Sequence, residues 1–189
     1  MGLDKGQFSN TSANFSNVTF VVVDGQLTIT PKSVDPEAGK GMSVGKLPHV
    51  TYNGKSQKQK PEVKDGNTLL TEGIDYTLVY SKDTTNVGNV TVTVEGKGNY
   101  AGEAEVTYEI MKRQVTLESA SASKVYDGTP LFSHDVVVTS VAGFVEDDVA
   151  SMTAPNSITE VGSITNEIVI KWSNDVAAGN YVVSKEEGV

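Results

Sequence analysis

The sequence contains no cysteine, which excludes disulfide bonds, thiolate metal ligands and a cysteine nucleophile. It also has no apolar run near the ~20 residues that a membrane-spanning helix needs, so no segment is expected to cross a bilayer. Basic residues are few, because 15 lysines and arginines oppose 24 aspartates and glutamates, for a net charge of −9. Phosphate recognition needs a basic surface, so nucleic acid is not an expected partner.

Leucine, a strong apolar helix former, is scarce. The 189 residues include 8 leucines against 28 valines and 19 threonines. β-Branched residues are favoured in strands, and no window of the sequence shows a sustained helical period. The composition therefore predicts an all-β protein with almost no helix, and the length allows one or two domains.

Short turn motifs recur along the chain at fixed spacings. Three pairs of tripeptides follow one another in the same order, two at an offset of 74 (126 − 52 and 160 − 86) and one at 81 (179 − 98): Tyr52-Asn53-Gly54 with Tyr126-Asp127-Gly128, Asn86-Val87-Gly88 with Glu160-Val161-Gly162, and Gly98-Asn99-Tyr100 with Gly179-Asn180-Tyr181. Self-similarity of this kind indicates two tandem copies of one unit.

A third, partial copy stands at the start of the sequence. Residues 17–25 (NVTFVVVDG) line up with residues 180–188 (NYVVSKEEG) at an offset of 163 (180 − 17). Asp24-Gly25 separates two apolar runs and predicts a type I′ hairpin turn. We expect residues 17–33 to be either the closing hairpin of a preceding repeat or the first strand of unit 1. The second unit is then expected to lack its closing strand, as in an excised piece of a longer protein.

Alternation of apolar and polar residues predicts the other strands. They are expected at residues 75–80, 90–94, 106–110, 115–117, 136–139, 164–172 and 181–184. Turn residues separate them at intervals of roughly 8–12 residues, a spacing typical of a β-sandwich. The expected organisation is, in order, a flexible N-terminal segment (1–16), the strand hairpin (17–33), unit 1 (34–113) and unit 2 (114–189).

The motifs together resemble a known family. Tyr52-Asn53-Gly54-Lys55, the strand YTLVY at 76–80, and above all KVYDGTPL at 124–131 are similar to the bacterial immunoglobulin-like repeats with YDG-type motifs. The resemblance covers residues 17–189. It implies tandem immunoglobulin-like antiparallel β-sandwiches in an elongated arrangement, without catalytic, cofactor-binding or metal-binding residues. It also implies a non-enzymatic spacer or stalk segment of an adhesin-like protein, located extracellularly or at the bacterial cell wall.

Two segments depart from the repeat pattern and offer an alternative function. Val34–Leu47 reads as a polar insertion, and Phe144–Thr159 is poorly matched to the first copy. Either could be a loop that recognises a host glycan or protein, which would make the chain an adhesion module. For a spacer, protein or glycan ligands are expected to bind other parts of the parent protein.

Several side chains are candidate sites on their chemistry alone. His49 and His134 lack the partners that catalysis or zinc binding requires, so both are interpreted as structural. Glu146-Asp147-Asp148 is interpreted as a solvated loop rather than a Ca²⁺ site, because adjacent carboxylates of an extended chain face opposite sides. The four recurring tyrosines are expected to pack in the core, with each hydroxyl hydrogen-bonded to a backbone carbonyl, rather than to stack on sugars. They are Tyr52, Tyr100, Tyr126 and Tyr181. Trp172 is expected in the core or between units.

Covalent chemistry and self-association remain as further hypotheses. An intramolecular isopeptide bond needs a buried neutral lysine beside an asparagine, and no pairing is dictated among Lys112, Lys124, Lys171, Asn86, Asn166 and Asn174. The N-x-Ser/Thr patterns at Asn10, Asn14, Asn17 and Asn89 are attributed to composition.

The segment Val18–Thr30 could complete the open unit of a neighbouring molecule head to tail. Alternatively, residues 26–34 serve as the first strand of unit 1.

Overall fold

The computed structural model describes residues 4–15, 17–23, 25–81 and 83–189. The chain divides into two units, Met1–Pro31 and Lys32–Val189. In the first unit, Asp4 caps a short 3-10 helix at Lys5–Gln7 by accepting a hydrogen bond from the backbone of Gly6. None of the described residues before Lys32 belongs to a strand.

The hairpin expected at residues 17–33 is therefore absent from the part of the chain that is described. Asp24, the first residue of the expected turn, lies outside that part. The expected second strand is reduced to β1, Lys32–Ser33, while Leu27 and Ile29 are 102% and 98% exposed. A two-stranded ribbon is marginal without a layer to pack on, so alternation alone does not form this strand.

Strands nevertheless make up nearly all of the regular secondary structure of the described residues, which confirms the all-β class. The described chain has one α-helix, α1 at Asp175–Gly179, whose first turn is capped by Asn174 accepting from the Ala177 backbone. Within the described residues, the structure contains no helix with the length and apolar character needed to span a membrane.

In the N-terminal half of the second unit, residues 32–111, the described residues form nine strands. After β1 these are β2 (Met42–Val44), β3 (Val50–Thr51), β4 (Val63–Asp65), β5 (Thr68–Leu69), β6 (Tyr76–Tyr80), β7 (Gly88–Gly96), β8 (Tyr100–Ala101) and β9 (Glu103–Met111). One sheet has the order β2-β4-β5 and another the order β3-β9-β7-β6. All neighbours in these two sheets are antiparallel except β3 and β9, which run parallel.

Apolar side chains from both sheets pack into one cluster. Its buried members are Val34, Met42, Val63, Leu70, Tyr76, Val94 and Ala104. Val34 and Met42 come from the segment Val34–Leu47, which also supplies β2. The expectation of a polar inserted loop there was wrong, because this segment contributes a strand and two core side chains.

The C-terminal half, residues 113–189, contains seven strands. They are β10 (Arg113–Ser119), β11 (Leu131–Phe132), β12 (Val136–Val138), β13 (Val149–Thr153), β14 (Ser157–Ile158), β15 (Val169–Trp172) and β16 (Tyr181–Glu186). The pairings are β12-β10-β16, β11-β14 and β13-β15. The strand expected at 164–172 is shorter than expected. The segment Phe144–Thr159 is not a loop either, since it holds β13, β14 and the fully buried Ala154.

Each half opens with a strand that pairs in parallel with a later strand of the same half. Lys32 pairs with Tyr100, and Arg113 pairs with Tyr181, so both pairs span 68 positions (100 − 32 and 181 − 113). The Lys32 amide donates to the Asn99 carbonyl and the Arg113 amide to the Asn180 carbonyl, both at 2.9 Å. The Gly-Asn-Tyr motif therefore has the same backbone role in the two halves.

A second apolar cluster spans the point where the halves meet. Its buried members are Tyr52, Val90, Val92, Tyr108, Ile110, Val115, Leu117, Ile168 and Tyr181. β9 ends at Met111 and β10 begins at Arg113, so Lys112 alone separates the two strands. The apolar core is thus continuous across a one-residue link.

Candidate functional site at the junction of the two halves

Four aromatic rings meet where the halves join, and we call them the aromatic junction: Tyr52, Phe144, Trp172 and Tyr181. Tyr52 follows β3, Trp172 ends β15, and Tyr181 begins β16. The Tyr181 ring centroid lies 5.6 Å from that of Tyr52 and 5.1 Å from that of Phe144, both edge to face, and 5.4 Å from that of Trp172, stacked. These are favourable geometries for aromatic pairs.

A carboxylate lies beside the rings and binds both tyrosine hydroxyls. Asp148 Oδ2 accepts from the Tyr181 hydroxyl at 2.5 Å and from the Tyr52 hydroxyl at 3.0 Å. The Tyr181 hydroxyl in turn accepts from the Val145 amide at 2.9 Å. The interpretation of 146–148 as a solvated loop was wrong for Asp148, because its carboxylate is partly buried against two phenol donors; Glu146 and Asp147 are exposed.

Burial and the neighbouring carboxylate change the acidity of these phenols. Burial raises the pKa of Tyr181, and the hydrogen bond to Asp148 raises it further. The same two causes, in the same order, raise the pKa of Tyr52. Both phenols therefore remain neutral donors well beyond neutral pH, so the bonds to Asp148 persist there.

Polar side chains also tie backbone groups of the two halves together. Asn180 is buried and accepts from the Val87 amide at 2.9 Å, while its own amide group donates to Asn86 Oδ1 at 2.9 Å. Arg113 Nε donates to the Gly143 carbonyl at 2.6 Å and Nη1 to the Tyr52 carbonyl at 3.4 Å. Buried groups with satisfied partners hold a packing arrangement in one geometry.

A close backbone approach completes the junction. Gly54 has φ = +75°, and a Cβ built on it would lie 2.5 Å from Cγ1 of Val145 in the other half. Gly128, its counterpart in the repeated turn motif, has φ = +79° but open space around it. Both positions require the left-handed conformation that favours glycine. Only Gly54 also requires the absence of a side chain.

The side chains of the junction are engaged with one another and with the backbone of both halves. Its carboxylate and phenols are occupied by one another, and no nucleophile with an adjacent base stands among them. Across the described residues, no group of three or more histidine, aspartate or glutamate side chains could hold a metal ion. What the arrangement fixes is the orientation of one half relative to the other.

The four recurring tyrosines differ in how far they are buried. Tyr52 and Tyr181 are buried, as expected, and Tyr100 is half-buried. Tyr126 is 58% exposed, so its assignment to the core was wrong. The hydroxyl of Tyr100 donates to Asp65 Oδ2 at 3.3 Å, so all three inward-facing members bind carboxylates where backbone carbonyls were expected.

Two tyrosines that lie outside the repeated turn motifs do bind backbone carbonyls. The Tyr80 hydroxyl donates to the Gln59 carbonyl at 2.8 Å, and the Tyr108 hydroxyl to the Gln57 carbonyl at 2.5 Å. Their signal was available in the sequence, because each occupies an apolar position of an alternating strand. The hydrogen bonds of Arg113 could not be predicted in the same way, because nothing in the sequence indicates which distant carbonyls it binds.

The histidines lie apart and have structural contacts. His49 Nδ1 accepts from the Glu109 amide at 2.9 Å. The His134 ring stacks on Phe132 at 4.9 Å, and its Nδ1 lies 2.8 Å from the Ala154 carbonyl oxygen. Trp172 packs within the cluster that spans both halves, as expected.

The candidate lysines do not meet the requirements of isopeptide chemistry. The three lysines are exposed, whereas the reaction needs an amine neutralised by burial: Lys112, Lys124 and Lys171. Lys124 Nζ instead binds Asp127 Oδ1 at 2.8 Å, and this bond holds the pKa of that carboxyl below its usual range. Asn166 is buried and donates to the carbonyls of Ala120 and Ser133.

Comparison of the chain with known protein families, with curated proteins and with solved structures finds no match. A functional conclusion therefore depends on the sequence motifs and on the geometry of the junction.

Proposed function

We propose that this chain is a non-enzymatic spacer or stalk segment of a bacterial cell-surface or secreted adhesin-like protein. In this proposal two tandem immunoglobulin-like β-sandwich units hold another part of the parent protein at a distance from the cell wall. The aromatic junction is the main observation in support of this function. A spacer transmits position only if consecutive units keep a constant orientation, and four rings, a shared carboxylate and a one-residue link supply that constraint.

Matched geometry in the two halves supports the tandem arrangement. The parallel pairs Lys32–Tyr100 and Arg113–Tyr181 have the same separation and the same backbone hydrogen bond. The repeated turn also matches, because Asn53 Oδ1 accepts from the Lys55 amide and Asp127 Oδ1 from the Thr129 amide, both at 2.9 Å. Repeat proteins gain length by stacking such units, each in contact only with its neighbours.

The charge of the chain fits an exposed setting. A net charge of −9 keeps a protein soluble and opposes nonspecific association with anionic surfaces. The resemblance to YDG-type repeats supports the location at the cell surface.

The proposal is tested by measuring the distance between the halves in solution. Because the chain has no cysteine, Asn67→Cys and Thr159→Cys place two spin labels at exposed sites, one in each half. Pulsed electron paramagnetic resonance is expected to give one narrow distance distribution. Adding Asp148→Ala is expected to broaden it, whereas Glu146→Ala, at an exposed neighbour, leaves it narrow. A broad distribution without either change contradicts a spacer of fixed orientation.

An adhesion module is the second candidate, and one surface feature favours it. An open groove of about 650 Å³ runs beside the segment Val34–Leu47 and is lined in part by Asp35, Glu37, Lys46 and His49. Mixed charges of this kind can fix a polar ligand. A glycan array on which the chain binds saturably, and on which Lys46→Ala with His49→Ala abolishes binding, would favour this candidate over the spacer.

A further inference from the structure

The first strand of each half pairs in parallel with a later strand, and the two pairings differ in length. In the C-terminal half, β10 and β16 pair over six residues, and the last pair is Glu118 with Glu186. In the N-terminal half, β1 and β8 pair over two residues, and the last pair is Ser33 with Ala101. The ladder therefore continues in one half at the point where it stops in the other.

The segment after Ser33 turns out of the sheet for a local reason. Pro36 stands at the position of Leu117 (117 − 36 = 81), and a proline has no amide hydrogen to donate to a neighbouring strand. The Asp35 amide donates to Ser33 Oγ at 3.2 Å, and Asp35 Oδ1 accepts from the Glu37 amide at 2.9 Å. Side-chain bonds to the backbone two residues away are typical of turns. The chain thus leaves the edge of the sheet here.

Strand β9 consequently has an unpaired edge. On this side β3 pairs only with the last two residues of β9. The Glu109 amide also points to this side, because it donates to His49 Nδ1 at 2.9 Å. Backbone groups alternate in direction along a strand, so those of Glu105 and Thr107 point the same way, away from β7. No strand of the described chain pairs with these two residues on that side.

The open groove of about 650 Å³ runs along this edge, and residues 104–107 of β9 form part of its lining. Its other apolar lining includes Pro36, Val44 and Leu47. His49 lines it as well, with Nδ1 already engaged as an acceptor. Three carboxylates and one lysine also line it, and they are Asp35, Glu37, Glu105 and Lys46. The groove therefore combines a free strand edge, an apolar floor and an excess of negative charge.

We propose that this groove binds an extended segment of a partner protein as an added strand beside β9, and that the segment alternates basic and apolar residues. A strand edge presents donors and acceptors at the spacing of a polypeptide backbone, which favours a peptide over a glycan as the ligand. The excess of carboxylates favours lysine or arginine at the positions that do not face the apolar lining.

The C-terminal half shows how such a strand is accommodated. Leu117 of β10 lies in the ladder beside β16 and is fully buried, whereas Pro36 at the matched position is exposed. An added strand therefore has room for an apolar side chain there. This binding gives the groove of the second candidate function a ligand class and does not depend on the spacer function, since none of the four rings of the aromatic junction lines the groove.

The first test measures binding of a synthetic peptide to the full chain by calorimetry. The probe is acetyl-GKVKVKVKG-amide, and saturable binding that weakens with added salt is expected. One control is the acidic peptide acetyl-GEVEVEVEG-amide. The other is the basic peptide N-methylated throughout, which cannot donate main-chain hydrogen bonds. Each control should bind at least about 10-fold more weakly, because one loses the charge match and the other the strand pairing.

The second test locates the binding on the chain. Glu37→Lys with Glu105→Lys reverses two charges of the groove and should weaken peptide binding at least about 10-fold. The matched control, Glu118→Lys with Glu186→Lys, makes the same change in net charge at the equivalent positions of the C-terminal half (118 − 37 and 186 − 105 are both 81). It should bind like the parent chain at about 0.15 M salt, where distant charges are screened. All four residues are exposed, so both variants should fold, which circular dichroism checks.

The third test detects the added strand itself. With the peptide at saturation, the amides of Glu105 and Thr107 should exchange with solvent at least about 10-fold more slowly, as nuclear magnetic resonance measures. Absence of saturable binding, equal binding of either control peptide, equal effects of the two double variants, or unchanged exchange of these amides would each overturn the proposal. A groove that binds glycans and not this peptide would overturn it as well.

Discussion

The Tyr181 hydroxyl donates to Asp148 Oδ2 at 2.5 Å, and the same oxygen accepts from Tyr52, which is 96 positions away from Asp148 in the chain. Tyr52 belongs to the N-terminal half and the other two residues to the C-terminal half. One carboxylate oxygen therefore links the residue that follows β3 to the first residue of β16. Hydrogen bonds to an ionised acceptor are among the stronger ones in proteins, so this contact stabilises the junction beyond its aromatic packing.

Removing the carboxylate should weaken the junction. Asp148→Ala leaves two phenol hydroxyls without their acceptor, and we expect the free energy of unfolding to fall by about 2–3 kcal/mol. The measurement is urea unfolding of the full chain. Glu146→Ala, at an exposed neighbouring residue, should change it by less than about 0.5 kcal/mol. Equal effects of the two substitutions would show that Asp148 has no special role.

Stability should fall at alkaline pH because of Tyr181. Its pKa is raised in the folded chain above the ordinary tyrosine value of 10.0, so folding favours the neutral phenol. The stabilisation is fully present below pH 10 and is lost as the pH rises from there towards the folded-state pKa. Urea unfolding between about pH 8 and about pH 11 should show this loss, and Tyr181→Phe should reduce its slope. The exposed Tyr126→Phe is the control and should follow the parent chain.

The two turn glycines should respond differently to the same substitution. Gly128→Ala forces a side chain into the left-handed region, at a cost of about 1–2 kcal/mol. Gly54→Ala has the same backbone cost and in addition brings a methyl group to 2.5 Å from Val145. We expect Gly54→Ala to lower the free energy of unfolding by ~1–3 kcal/mol more than Gly128→Ala does. Its melting temperature should therefore be the lower of the two. If both variants melt at the same temperature, Val145 does not restrict this position.

The two halves should unfold together. Trp172 is the sole tryptophan and lies in the cluster that spans both halves, so its fluorescence reports the junction. Its urea transition should coincide with that of far-ultraviolet circular dichroism. Val92→Ala, in the N-terminal half, should shift both midpoints by an amount equal to about 1–2 kcal/mol. If Val92→Ala left the midpoint of the tryptophan fluorescence transition unchanged, the halves would unfold independently.

The strands of the N-terminal half could be predicted because alternation there matches a buried face. The runs at 75–80, 90–94 and 106–110 lie almost entirely within β6, β7 and β9, whose inward positions are filled by core residues. The run at 26–30 alternates equally well but forms no strand. Periodicity indicates which face of a strand would be buried, and it carries no information on whether another layer covers that face.

The junction was beyond prediction because its residues are distant in sequence. In the sequence, Asp148 is one of three adjacent acidic residues. Only the fold brings the hydroxyls of Tyr52 and Tyr181 to its carboxylate. Tyr52 and Tyr126 share a motif but differ in burial for a similar reason. Beside Tyr52 lies the end of β9, where the Tyr52 amide donates to the Met111 carbonyl at 2.9 Å. No described strand pairs with the segment around Tyr126.

The parallel pairing of β10 with β16 bears on how the C-terminal half responds to a pulling force. Six successive residues pair in one direction, from Arg113 with Tyr181 to Glu118 with Glu186. The chain enters this ladder at one end and leaves it at the other, so tension along the backbone slides the two strands past each other. The hydrogen bonds then share the load and must rupture nearly together, unlike in a hairpin, where they open one after another. Resistance to extension is accordingly concentrated where the first and last strands of this half lie side by side.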